Sequence, residues 1–142
     1  MTTWDAAAWN ERNRQVIEDF RAAGGQTDGR ELVLLTTTGA KSGKPHTTPL
    51  IYLAEGDHVY VIASKGGAPA NPDWYYNLVV HPTVTVELGE ESYEATASVL
   101  AGEERDRVYG EQARRFPFFA EYQKTTPRQI PVVLLARLGA GS

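Results

Sequence analysis

Residues 31–64, ELVLLTTTGAKSGKPHTTPLIYLAEGDHVYVIAS, decide the fold. Leucine and β-branched residues dominate 31–38, resume at 46–55 and return at 58–64, the pattern of three strands. Glu55-Gly56-Asp57 leaves room only for a tight hairpin turn. The first connection is different in kind: residues 36–50 hold five Thr, two Gly, two Lys and a His, with no acid among them.

Outward from this stretch the same alternation recurs. TVTVEL and ESYEATASVL, joined at Gly89-Glu90, form a second hairpin, and IPVVLLARL supplies a last strand with Pro131 near its start. Between and around the strands the period is helical. Residues 4–23 place Trp9, Ile17 and Phe20 on one face against mixed charges, with Thr2 and Asp5 as a capping box and Gly24-Gly25 as the stop. DWYYNLVVH starts a short helix at Asp73, and GEERDRVYGEQARR at 102–115 has its acids early and arginines late, as the helix dipole favours. A short FPFF segment and a turn at Thr125 to Arg128 come next. Six mostly antiparallel strands, an N-terminal helix and two or three further helices predict an α+β fold on a small barrel, because closure hides the strand edges. At 142 residues one domain is expected: a helix over 1–25 and a core over 31–138.

Composition narrows the function. A net charge of −4 offers no general attraction to nucleic acid, so an anionic ligand requires a local basic site. Cysteine is absent, which excludes disulfides, thiolate metal sites and Cys nucleophiles. His46, His58 and His81 stand apart, with no carboxylate at metal-ligand spacing. Neither a signal peptide nor a spanning segment is legible, so a cytoplasmic location is expected. The mixed charge of the first helix favours packing on the protein over lipid contact, which stays open as an alternative.

The charge is segregated along the chain. Lys41, Lys44 and His46 fall in the acid-free interval 32–54, whereas Glu87, Glu90, Glu91, Glu94, Glu103, Glu104 and Asp106 crowd 87–106. A second acid-free segment, 58–72, presents Ser64, Lys65, Gly66 and Gly67 directly after a strand. Glycine-rich backbone can aim several N–H groups at one anion, so two such loops can grip an extended polyanion. A single loop of this kind is equally a long hairpin turn with solvated lysines. GAKSGK lacks P-loop spacing, and neither a Rossmann glycine motif nor a G-x-S-x-G elbow is present. Trp74, Tyr75 and Tyr76 cannot all face inward from one short helix; some must line a cleft or lie at an interface, and a flat ligand is a reasonable occupant. Phe116, Phe118, Phe119 and Tyr122 form a second aromatic group.

LLTTTGAKSGKPHTTPLIYL, VIASKGGAPANPDWYYNLVVHPTVTVEL and RFPFFAEYQKTTPRQIPVVLL, in that order, resemble the deazaflavin-dependent nitroreductase family of actinobacteria, its aflatoxin- and coumarin-reducing members in particular. The resemblance spans about residues 31–137. It implies an FMN-binding-type split β-barrel that holds coenzyme F420, a deazaflavin with a phosphate and an oligoglutamate tail. By position, Lys41 and Lys65 match lysines at the phosphate and tail, Ser42 and Gly43 the loop backbone, and Ser64, Gly66 and Gly67 the loop by the ring. Asn71, Pro72, Trp74 and Asn77 match the motif after that loop, and His46, Pro49 and Ala63 complete the implied cofactor set. Ala40 and His46 stand where relatives often carry Arg. Phe116, Phe119 and Tyr122 match a substrate pocket in which the nitro-prodrug-activating member has more tyrosines, so a more apolar pocket is expected here.

The activity implied is hydride transfer from the reduced deazaflavin to a conjugated enone, lactone or quinone-like acceptor, with Tyr122 or Ser64 as the hydroxyl donor. An FMN-dependent oxidoreductase on the same barrel, and a protein that binds deazaflavin without turnover, are the alternatives. Monomer and homodimer are both compatible with this reading.

Overall fold

A computed structural model describes residues 6–24, 32–56, 58–64 and 71–138, with side chains from residue 11 onward. Its elements run in the order α1 (Ala6–Ala22), β1 (Leu32–Thr38), β2 (Pro45–Glu55), β3 (His58–Ile62), α2 (Asp73–Val80), β4 (Thr83–Leu88), β5 (Glu91–Val99), α3 (Gly102–Arg115), α4 (Phe118–Thr125) and β6 (Val132–Arg137). The six strands close into a barrel, β1-β2-β3-β6-β5-β4, through antiparallel pairings alone.

Period-two alternation builds the barrel. Val33 and Leu35, Val59 and Val61, Val84 and Val86, Ala95 and Ala97, and Val133 and Leu135 point into one buried cluster, which Trp74 and Leu78 of α2 join. Small and β-branched side chains suit the narrow interior, and each fully buried Val or Leu contributes about 1.5–3 kcal/mol. Pro49 sits opposite Leu34 in a part of β2 that β3 does not reach, since β3 pairs only with Tyr52 to Glu55. Its missing N–H therefore costs no ladder bond on that side. The two-residue turn at Gly89-Glu90 joins the paired Leu88 and Glu91, and Gly89 takes φ 59°.

The outer face of β2, β3 and β6 supplies a second cluster. Leu53, Tyr60, Ile62 and Val132 pack there with Val108 and Tyr109 of α3, Phe119 of α4 and Ile130. The short FPFF segment joins two helices: Phe116 caps the end of α3, Pro117 is the N-cap of α4, and Phe118, Phe119 and Tyr122 pack ring against ring. Proline is well tolerated at a helix start, and the cluster buries what would otherwise be an exposed aromatic run.

Among the described side chains of α1, Asn13, Val16, Ile17 and Phe20 are partly or fully buried, a stripe at helical spacing. The outward residues pair among themselves, Arg14 with Glu11 and Glu18. The end of α1 is pinned to β4 by Arg21, which donates to both carboxylate oxygens of Glu87 at 3.0 and 2.8 Å. The expected cap residues Thr2 and Asp5, with Gly25, lie outside the described residues. Among the described residues, no helix is long and apolar enough to cross a membrane.

Candidate functional site

The acid-free connection of β1 and β2 is a built loop. The Gly39 N–H donates to the Lys44 carbonyl at 2.8 Å, and the Gly43 N–H to the Gly39 carbonyl at 2.9 Å. Gly43 adopts φ 71°, where a side chain would be strained, and the Lys44 N–H donates to Ser42 Oγ at 3.2 Å. Gly39 is required for a different reason: a Cβ there would collide with Ser42 Oγ and meet the His46 ring at 3.2 Å. The loop is fastened to α2 through Asn77, whose Oδ1 accepts from the Ala40 N–H at 2.9 Å and whose Nδ2 donates to Thr37 Oγ1 at 3.1 Å. Buried polar groups thus satisfy one another, and Lys41, Ser42 and His46 are left facing outward.

Around this loop lies a cavity of about 760 Å³. Asn13, Arg14 and Ile17 of α1 form one wall; Gly39, Ala40, Lys41 and Ser42, continuing into His46, Thr47 and Thr48 of β2, form another; Asp73, Trp74, Tyr76 and Asn77 of α2 close it. The volume lies in the range of small-molecule sites. Arg14, Lys41 and the hydroxyls of Ser42, Thr47 and Thr48 give it a cationic and donor-rich lining, opposed among the described residues by the carboxylate of Asp73.

A second group of residues is gathered by Arg128, which lies between β6 and α4. Its Nη1 donates to the Ala63 carbonyl at 3.2 Å and to Asn71 Oδ1 at 2.5 Å, and its Nη2 donates to the Ser64 carbonyl at 2.8 Å. Burial pulls the Arg128 guanidinium below its ordinary pKa, with Tyr76 and Tyr109 opposing that shift. Burial also pushes the Tyr109 hydroxyl up, against the pull of Arg105 and Arg128, while nearby Tyr122 adds to the rise.

The structure brings Lys41, Ser42, His46, Trp74 and Asn77 to one cavity, with Gly43 at the loop apex and Pro49 one residue beyond the lining Thr48. Ala63, Ser64 and Asn71 meet at Arg128 instead. Phe116, Phe119 and Tyr122 belong to the outer cluster and are not part of the cavity lining. Lys65, Gly66 and Gly67 lie outside the described residues. Sequence reasoning missed Arg14 and Arg128. Arg14 looks like any solvated helix charge, and Arg128 like any turn residue. No group of three or more potential metal ligands occurs among the described residues.

The arrangement fits a flat cofactor with an anionic extension. Cations and hydroxyls line the cavity, one indole forms part of its wall, and a Cβ at Gly39 would press on the Ser42 hydroxyl and the His46 ring. A closed six-stranded antiparallel barrel with a cavity of this lining is suited to a flavin-like cofactor. Residues 9–137 match the F420H(2)-dependent quinone reductase family, and the chain belongs to it. An F420H(2)-dependent quinone reductase of Mycobacterium tuberculosis is 40% identical over 111 residues, covering 74% of this chain and 72% of that protein. The solved structure of an F420-H2 dependent reductase (FDR-A) is 44% identical, with a TM-score of 0.69 over 75% of this chain and 94% of that one. A third relative, solved as a domain-swapped dimer, is 39% identical with a TM-score of 0.71 over 92% of this chain and 99% of that one. The protein is thus an F420-dependent oxidoreductase on an FMN-binding-type split barrel, as its loop motifs lead one to expect.

Proposed function

We propose that the protein passes a hydride from reduced F420 to a quinone-like acceptor, with the tail of the cofactor held in the cavity between α1, the β1–β2 loop and α2. The observation that carries this reading is the placement of Lys41 and Ser42, on a loop without acids, against Arg14 and Trp74 in one cavity. When bound, the reduced deazaflavin supplies the hydride, and a quinone that takes it with one proton becomes a quinol. Enones and lactones offer the same electrophilic carbon and remain candidate acceptors.

The chain's own residues bind and orient. Lys41 and Arg14 offset the charge of phosphate and carboxylates, Ser42 donates a hydrogen bond, and Trp74 gives a flat apolar wall. Arg14 reaches this role by exchanging Glu11 and Glu18 for the ligand. Ser64 and Tyr122 are the proposed hydroxyl donors to the reduced acceptor, a contribution that acts through preorganised dipoles. Phe116, half-buried at the edge of the outer cluster, is proposed to give the acceptor apolar surroundings, with the buried Phe119 packed behind it. A homodimer is the proposed assembly, after the domain-swapped relative. The paired charges on the outer face of α1 favour a location in the cytoplasm over a lipid surface.

Equilibrium titration with oxidised F420 and, in parallel, FMN tests the reading. Wild-type protein is expected to bind F420 with micromolar or tighter affinity, and Lys41→Ala to weaken it about tenfold and flatten its salt dependence. Preference for FMN would replace the cofactor; tight F420 binding with no turnover across a panel of quinones, enones and lactones would leave a binding protein.

A further inference from the structure

We propose that Arg128 is a positioning residue for the cofactor site, setting the start of α2 against the end of β3. The inference rests on the reading of the cavity as an F420 site. Three acceptors on two separate segments converge on one guanidinium: the carbonyls of Ala63 and Ser64, which leave β3, and the side chain of Asn71, two residues before α2. A planar fork with fixed N–H directions can hold such a set, whereas the single ammonium of Lys cannot reproduce it. The site wall begins directly after Asn71. Pro72 accepts the Tyr75 N–H at 3.1 Å in the first turn of α2, and Asp73, Trp74, Tyr76 and Asn77 line the cavity.

Arg128 is itself held by α3 and α4. Gln123 Nε2 on α4 donates to the Arg128 carbonyl at 2.7 Å, and Gln123 Oε1 accepts from the Ile130 N–H at 3.1 Å and from Arg105 Nη2 at 2.7 Å. Arg105, only 7% exposed, also donates twice to the Ile130 carbonyl and lies over the Tyr109 ring at 4.5 Å. The chain between α4 and β6 is thereby fixed from both helices before Arg128 reaches across to α2. Arg105 is buried and Gln123 and Arg128 are partly so, and hydrogen bonds that tie three side chains to two backbone segments favour one geometry. The helices α3 and α4, which do not line the cavity, act on it through this side chain.

The test compares Arg128→Lys, Arg128→Gln and Asn71→Ala with Lys41→Ala, by F420 titration at low and high salt and by amide exchange of the apo-proteins. Both Arg128 variants are expected to lose about tenfold in F420 affinity with the salt dependence unchanged, as for a supporting residue behind a ligand-binding shell. Amide exchange at Tyr75 to Leu78 rises in both, and Asn71→Ala shows a smaller effect that does not add to that of Arg128→Gln. Wild-type affinity in Arg128→Lys, a flattened salt dependence like that of Lys41→Ala, or unchanged exchange in α2 would overturn the proposal. Where the Arg128 variants fail to fold, Asn71→Ala decides: unchanged affinity and exchange overturn it. Failure of the wild-type protein to bind F420 would instead overturn the proposed function, with α2 exchange in the apo-proteins still deciding the role of Arg128.

Discussion

The two aromatic regions of this chain look alike in sequence and do opposite work. Trp74, Tyr75 and Tyr76 sit on a short helix whose partners are a polar loop and a cavity, so Trp74 spans barrel core and cavity wall. Phe116, Phe118, Phe119 and Tyr122 pack on one another and on the outer face of three strands. Ring density therefore does not mark the site. The mark is an aromatic side chain beside backbone and side-chain donors that the fold leaves facing outward, as at Lys41 and Ser42.

The sharpest way to break this contrast is to truncate one ring in each region. Phe119→Ala is expected to cost about 3–5 kcal/mol of stability in denaturant unfolding, yet to leave the F420 affinity of the folded protein near wild type. Trp74→Ala costs a similar amount and abolishes measurable binding as well. Loss of F420 binding in Phe119→Ala would join the two regions into one site.

A smaller effect tests the loop on the cavity side. Gly39→Ala forces its Cβ against Ser42 Oγ and the His46 ring, with an expected cost of about 1–3 kcal/mol and weaker F420 binding. Adding Ser42→Ala removes the nearest clash and should recover much of the stability, read from the thermal midpoint. No recovery would place the strain in the backbone instead.

The smallest effect is a matched pair of tyrosines. Burial raises Tyr93, packed against the barrel core, and Tyr109, in the outer cluster, above the ordinary pKa. The unfolded chain then loses these protons first, near pH ~10, so their stabilisation is complete below that pH and is lost as pH rises through the folded values. Tyr109→Phe is expected to cost about 0.5–1.5 kcal/mol at neutral pH, since its hydroxyl donates to the Phe119 carbonyl, and to flatten the alkaline decline. Tyr93→Phe should flatten the decline while costing less. Unfolding at neutral pH and above pH ~10 separates the two.

The strands were legible because a barrel strand carries its own signature. Valine and leucine at every second position in 33–35, 59–61, 84–86 and 133–135 line the barrel interior. The acid-free loop was legible for a similar reason, since charge composition is local. The start of α4 was not, because FPFF has no polar face and its helix exists only by burial against β2, β3 and β6. Arg14 and Arg128 were hidden by the same limit: each is a common charge in an ordinary setting, and its meaning depends on partners distant along the chain, up to 65 residues for Arg128 and Ala63.

By itself, then, the amino-acid sequence determined the six strands, the hairpins with their glycines, the acid-free loop and the family, all of which depend on neighbours within a few residues or on ordered motifs. Tertiary structure alone decided which cations and rings share a cavity. Closing the barrel brings β1, α2 and α1 together on one side and sends α3 and α4 to another, and a side chain's electrostatic and packing energy depends on distance in space, which sequence separation does not measure.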